Sequence, residues 1–313
     1  MKIFIRNIFG FTIFVIINAF LLQAFLSIRI KNKSITGHDN LEQTNSLNAD
    51  LVFLGSSRCR AHFDPFFFEN KFHIKCVNIG VDGHSEISMA ILRLKTYLLK
   101  NKNPKYVVLS LDPFMSGGSF TDNANMSVKN AFARYSFWPK EANLMILNYF
   151  KFNWYEKYIP LYSIFKYNLL SDCLRIKDNN YTRFGYDRHD ELWNTNTYPK
   201  TNNLTKNYFS NEQLPVIKEK LIELNTLCFE NNIKLLCIQT PVYELLYSDN
   251  FFKRTSSVCH ELNLSFIETN KINIQSNQNN FYNSNHMNKF GVEKMNEELI
   301  KDTAFRSFLA PLK

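Results

Sequence analysis

Glycine is scarce in this chain, 9 of 313 residues. No Gly-rich phosphate loop occurs, so nucleotide chemistry has no basis in the sequence. The six cysteines (Cys59, Cys76, Cys173, Cys228, Cys237 and Cys259) include no C-x-x-C pair and no His/Cys group at zinc-ligand spacing. No metal and no cofactor is expected. A disulfide is permitted outside a membrane but not signalled, and Cys76 and Cys237 lie in apolar runs that read as core. Acidic residues are missing before Asp39. No internal repeat is present, and no dense Lys/Arg run with interleaved aromatics follows the first segment, which argues against nucleic acid as a partner.

The formal net charge is nevertheless +9. Five of the positive charges are Lys2, Arg6, Arg29, Lys31 and Lys33, and removing them from +9 leaves +4 for the rest of the chain. Apolar residues make up 45% and charged residues 21%, the balance of a folded chain rather than a disordered one. A mean hydropathy of -0.26 excludes a polytopic membrane protein.

Those five charges flank an uncharged apolar run, Asn7 to Ile28. As a helix this run of about 22 residues spans ~33 Å, enough to cross a bilayer core. A cleaved signal peptide would have a shorter apolar stretch ending in small residues, whereas Gln23-Ala24-Phe25 is a poor cleavage sequence. An uncleaved anchor over residues 1–30 is expected. The flanking charges barely decide its orientation; the short N-terminal tail favours a cytoplasmic start, with the large domain outside the cytoplasmic membrane. Residues 31–48 are polar and aperiodic and read as a tether.

After the tether, short apolar runs alternate with helical patterns. The runs are 50–54, 74–79, 106–111, 233–240 and a weaker 264–269, and they fit strands buried on both faces of a parallel sheet. Helical stripes are Ile87, Ile91, Leu94 and Leu98; Ile217, Leu221, Leu224 and Cys228; and Val292, Met295 and Leu299. The alternation predicts a three-layer α/β domain over 49–313, whose ligands bind beyond the carboxyl ends of the strands. Residues 114–212 interrupt the order. They are rich in aromatics and predict an insertion of three or four helices and then an extended loop, covering the ligand edge of the sheet.

Two motifs carry chemistry. The first strand runs into Gly55-Ser56-Ser57-Arg58, which presents a hydroxyl at the strand's end, either as a nucleophile or as a helix N-cap. Phe281 to Gly291 reads FYNSNHMNKFG ahead of the last amphipathic helix, and His286 there is either a general base or a surface residue of a capping loop.

Together the blocks ADLVFLGSSR, VNIGVDGH, YVVLSLDPF and FYNSNHMNKFG resemble the SGNH (GDSL-like) hydrolase superfamily. The likeness is strongest to its membrane-anchored bacterial branch, which includes the D-alanyl transfer proteins of teichoic acid biosynthesis. It covers about residues 48–125 and 210–303. The resemblance implies a flavodoxin-like sheet, Ser57 as nucleophile, His286 as base, and the Gly83 amide as an oxyanion donor. It also implies an acyl donor and a cell-surface glycan or polymer as partners, or a membrane-bound O-acyltransferase that the chain assists.

The sequence departs from the family at two points. The family's Asp, three residues before the His, is Asn283 here, and Asn285 is uncharged too. An Asn can orient imidazole but cannot stabilise imidazolium by charge; Glu268 is a distant substitute. Asp112 stands in the region of the family's oxyanion Asn, and as a carboxylate it would have to point elsewhere or be protonated. Arg58 and Arg60 either hold an anionic substrate or form salt bridges with Asp64 or another neighbour. His84 either reaches the pocket or starts a helix, and the loop 186–189 either covers the site or is solvated. Three functions stay open: an envelope esterase or O-acyltransferase, a catalytically degenerate glycan-binding or assisting protein, and a structural membrane protein.

Overall fold

The structure, a computed structural model, describes residues 1–31, 46–84, 86–112, 129–130, 132–136, 141–174, 184–198, 214–243, 249–269 and 273–310. The chain divides into two compact units: Met1–Glu42 with Phe120–Tyr181, and Gln43–Ser119 with Thr182–Lys313. The tether expected at 31–48 lies mostly outside the described residues.

The second unit is built on one parallel sheet. Its strands among the described residues are β1 (Leu51–Leu54), β2 (Cys76–Asn78), β3 (Tyr106–Leu111), β4 (Lys234–Gln239) and β5 (Ser265–Glu268), in the order β2-β1-β3-β4-β5. This is the flavodoxin-like order. Every apolar run produces one strand: β1, β2 and β3 are buried along their whole length, as strands covered on both faces are, while β5 at the sheet edge leaves Ser265 exposed. Val52, Leu54, Val107 and Leu109 face Ile91, Leu94, Leu221 and Leu224 from helices Ile87–Leu98 and Leu214–Glu230. Leu51, Phe53, Val108 and Ile238 face Phe68, Met295, Leu299 and Phe305 from helices Pro65–Phe72, Lys289–Lys301 and Thr303–Phe308.

Two helices carry no clear apolar stripe in the sequence. Pro65–Phe72 starts where the Asp64 side chain accepts a hydrogen bond from the Phe66 amide, with Pro at the first helical position. Asp249–Glu261 buries Val258 and Cys259 against the sheet. All six cysteines are buried.

Among the described residues the other unit holds the apolar helix Lys2–Lys31 and the short helices Glu141–Tyr149, Trp154–Tyr158, Tyr162–Lys166 and Leu170–Leu174. Its interior is aromatic: Phe132 stacks on Phe150 at 4.2 Å between ring centres. Glu156 is buried there. Burial alone would push its carboxyl up, but Lys166, the Tyr167 hydroxyl and the Asn153 amide hydrogen-bond it and hold it below the usual range. The apolar helix is long and apolar enough to cross a membrane over Lys2–Arg29 and is mostly exposed. Only its C-terminal end is packed. Gln23 and Leu26 are buried, the Leu161 amide donates to Gln23 Oε1 (2.7 Å), and Arg29 Nε donates to the Cys173 carbonyl (2.9 Å).

Candidate active site

The chain leaves β1 for one outer strand, β2, and then crosses to β3 on the other side. The strand order therefore reverses between β1 and β3, the point at which sheets of this order leave a ligand crevice beyond the strands' carboxyl ends. Gly55 makes the turn out of β1 at φ +151°, where an added Cβ would lie 2.9 Å from Cys59 Cβ and 3.1 Å from the Ser110 carbonyl. The helix Ser57–His62 begins at once.

The two serines divide the alternatives left open by the sequence. Ser56 is the N-cap: its Oγ accepts from the Arg58 amide (3.2 Å) and donates to Asp112 Oδ2. Ser57 is free to face the crevice, and its Oγ lies 2.9 Å from His286 Nε2. The nucleophile position and the imidazole come from residues 229 apart.

The Asn283 side chain completes a line of three. Its Oδ1 accepts the backbone N–H groups of Asn285 and His286, each at 2.9 Å, and lies 3.1 Å from His286 Nδ1. Two backbone donors fix the amide with oxygen toward the ring, and that oxygen can only accept. Nδ1 therefore carries the proton, and the Nε2 lone pair faces Ser57. In a serine protease an Asp-to-Asn change fails through the wrong tautomer; here the backbone of the loop enforces the right one. What Asn283 cannot give is charge. Burial, with the nearby positive charge of Arg58 and then His189, pushes the His286 pKa down to about 3, so the ring is neutral at neutral pH. Glu268 does not replace the missing charge: both ring nitrogens of His286 are engaged by Asn283 and Ser57, and Glu268 lines another cleft of about 570 Å³ beside β5.

Arg58 points inward. Nε donates to Asp112 Oδ1 (3.0 Å), Nη1 to the Asn285 carbonyl (2.7 Å), and Nη2 to Thr240 Oγ1 (2.7 Å) and the Thr240 and Pro241 carbonyls. With 1% of its surface exposed and every guanidinium nitrogen bonded inward, it is not presented to a substrate anion. Its salt bridge is with Asp112, not Asp64. Asp112 accordingly turns away from any oxyanion, toward Ser56 and Arg58. Burial pushes its carboxyl up, while the Arg58 charge pulls it back. The pair ties the ends of β1, β3 and β4 to the loop that carries His286.

Gly83 follows β2 through Val81, which bridges to Ser56 in parallel fashion. It has φ +73°, is exposed, and an added Cβ would meet open space. Gly80 permits the close approach of this segment: a Cβ there would lie 2.8 Å from the Ser56 carbonyl. Arg60 reaches Asp187 Oδ2 at 3.4 Å, and His84 is buried 3.4 Å from Glu86.

Two contributors are not visible in the sequence. His62 lies on the nucleophile helix, fully buried. Its Nε2 accepts the Met287 amide (3.0 Å), so its proton is on Nδ1, directed at Thr240 Oγ1 (2.9 Å). Burial pushes its pKa well below the usual value, with Arg58 adding to the effect. Tyr282 stacks on His286, with 5.4 Å between ring centres, and His189 stacks on the Tyr282 ring at 3.8 Å. His189 thus packs on the base loop and the Asp187 amide donates to the Arg60 carbonyl (3.0 Å), while Arg188 and most of 190–198 are exposed. Sequence spacing signals neither contact, because both join residues distant in the chain.

No family model matches the chain, and no curated protein matches it. Among solved structures it is similar to a crystal structure from Bacteroides fragilis described as a putative acylhydrolase, at 10% identity and a TM-score of 0.42, covering 88% of this chain and 100% of that one.

Proposed function

We propose that the protein is a membrane-anchored serine esterase or O-acyltransferase of SGNH type, acting on cell-envelope polysaccharide or a related surface polymer. The observation that carries this reading is the line Ser57 Oγ, His286 Nε2, His286 Nδ1, Asn283 Oδ1, with contacts of 2.9 and 3.1 Å. In the proposed reaction Ser57 Oγ attacks the acyl carbonyl and His286 Nε2 takes its proton. The Ser57 amide, at the first position of its helix, and the Gly83 amide donate to the oxyanion. The intermediate collapses as His286 returns the proton to the leaving alcohol, and an acyl-serine ester remains. A water or a sugar hydroxyl then gives its proton to His286 and takes the acyl group, restoring Ser57. Water as acceptor makes an esterase and a sugar hydroxyl makes a transferase. The apolar helix Lys2–Lys31 would hold the domain at the membrane surface.

A second reading rests on Asn283: without a charge behind the imidazole, the site would bind glycan or assist a membrane-bound acyltransferase. A fluorophosphonate probe separates the two. The catalytic reading expects covalent labelling of the wild type that is lost in Ser57→Ala and His286→Ala. An unlabelled wild type, or equal labelling of Ser57→Ala, would remove it. The second reading expects both variants to keep full biological activity.

A further inference from the structure

We propose that the helices Trp154–Tyr158 and Tyr162–Lys166 dock on the headgroup region of the lipid bilayer that the apolar helix crosses. This rests on the reading of that helix as a membrane anchor. The argument starts from Gln23. It lies inside the uncharged run that ends at Ile28, five residues or ~8 Å below that end along the helix axis. A side-chain amide at that depth needs a partner, and its Oε1 accepts the Leu161 amide at 2.7 Å. Arg29 is six residues or ~9 Å further along the axis, and it donates to the Cys173 carbonyl. The two hydrogen bonds set the tilt of the helical cluster against the anchor. The chain near Leu161 is therefore at the level of Gln23, in the outer part of the run, and the chain near Cys173 is farther out.

The surface beside Leu161 has the matching chemistry. Trp154 is 66% exposed, Tyr158 57% and Phe165 61%, and Tyr162 is exposed as well. These rings are not scattered: Trp154 touches Tyr155 at 5.9 Å, Tyr155 touches Tyr162 at 5.1 Å, and Lys166 Nζ lies within 6.0 Å of both tyrosine rings. Amphipathic rings with a basic side chain beside them are the residues that settle at membrane–water interfaces. A protein partner is the other way to cover such a surface. The bilayer is favoured because the same compact unit contains the anchor and fixes the level of the patch.

Nitroxide accessibility in lipid nanodiscs tests this on the full chain. All six native cysteines are buried, so a single introduced cysteine can be labelled selectively in Phe165→Cys, Phe14→Cys and Lys102→Cys. The Phe14 label reports the anchor and the exposed Lys102 position reports water. The expected result is a Phe14 label open to oxygen and closed to a water-soluble nickel chelate, a Lys102 label of opposite behaviour, and a Phe165 label between them at interfacial depth. A Phe165 label as open to nickel as Lys102, or shielded from both reagents by protein, overturns the proposal while the Phe14 label still reports a span. A Phe14 label in water removes the anchor reading itself. Far-UV circular dichroism and limited proteolysis of each variant establish that it is folded.

Discussion

Asn283 is the residue on which the chemistry turns. Its amide fixes the histidine tautomer through two backbone donors but leaves an imidazolium without a counter-charge. The proposed catalysis needs neutral His286, and with its pKa pushed down to about 3 the ring stays neutral through the acid range. We expect kcat/KM to be flat from about pH 5 to 8, with no fall centred near 6.5. Asn283→Asp should raise kcat/KM about tenfold for each pKa unit it restores to His286, and should bring an acid limb upward in the pH profile. Asn283→Ala should lower kcat about 10²-fold with little change in KM. Rates on an activated ester across pH decide all three. His62 and His286 also make stability depend on pH. Unfolded, both titrate near 6.5; folded, both pKa values are lower. Below 6.5 the unfolded chain binds more protons, so stability present above that pH is lost as pH falls, by up to about 1.4 kcal/mol per pH unit for each histidine. Urea midpoints measured against pH should fall toward acid in the wild type and less steeply in His62→Gln. Ser57 and His286 are legible from their motifs, since a hydroxyl after a glycine turn and a histidine in a polar loop are local patterns. The inward course of Arg58 and the part played by His62 are not, because each depends on which strand ends meet at Thr240 and Asp112.

Strands were more readable than the loops between them. β3 coincides with its apolar run and β4 differs by one residue at each end, because a strand covered on both faces is mostly apolar and stands out as a run. The helix Pro65–Phe72 has no such mark: PFFFENKF places aromatics in a row, and only Asp64-Pro65 announces a start. The base loop 281–288 is held by tertiary bonds. Asn288 donates from its side chain to the Asn279 and Phe281 carbonyls, Phe281 bridges to Met287, and the Tyr243 amide donates to the Ser284 carbonyl. Gly291, in the first turn of Lys289–Lys301, lets this loop approach: an added Cβ would lie 2.2 Å from the Asn280 carbonyl. Gly291→Ala should therefore destabilise the unit by about 1–3 kcal/mol and reduce Ser57 labelling beyond what the unfolded fraction explains. Chemical denaturation alongside probe labelling would check both.

The basic excess of the chain looks global in its composition, yet five of its charges flank the apolar helix. The division into units follows a similar logic. The stretch Phe120–Tyr181 groups with the apolar helix, while 184–198 belongs with the sheet. Composition alone does not show this split, since both stretches read as one aromatic-rich interruption. Because Gln23, Leu26 and Arg29 pack into the helical unit, the apolar helix is also part of that unit's interior. A chain beginning at Gln43 should keep its parallel sheet and the reactivity of Ser57, while residues 129–174 become sensitive to protease. Mass spectrometry of limited digests, set beside probe labelling, would show whether the two units part in this way.

Arg58 follows Ser57 in the chain, and the carbonyl it holds, that of Asn285, precedes His286. On the far side of the ring His62 holds the Met287 amide. His286 is thus bracketed by two bonds to the helix that carries Ser57, one buried and one part-buried. The loop has no private opening: to swing His286 away, a guanidinium and an imidazole must both lose partners in the interior. Exchange of the Met287 amide with deuterium should then proceed only through global unfolding, with the denaturant dependence of the slowest core amides in β3. The site would be as durable as the sheet beneath it, and substrate would have to reach His286 without any opening of its loop.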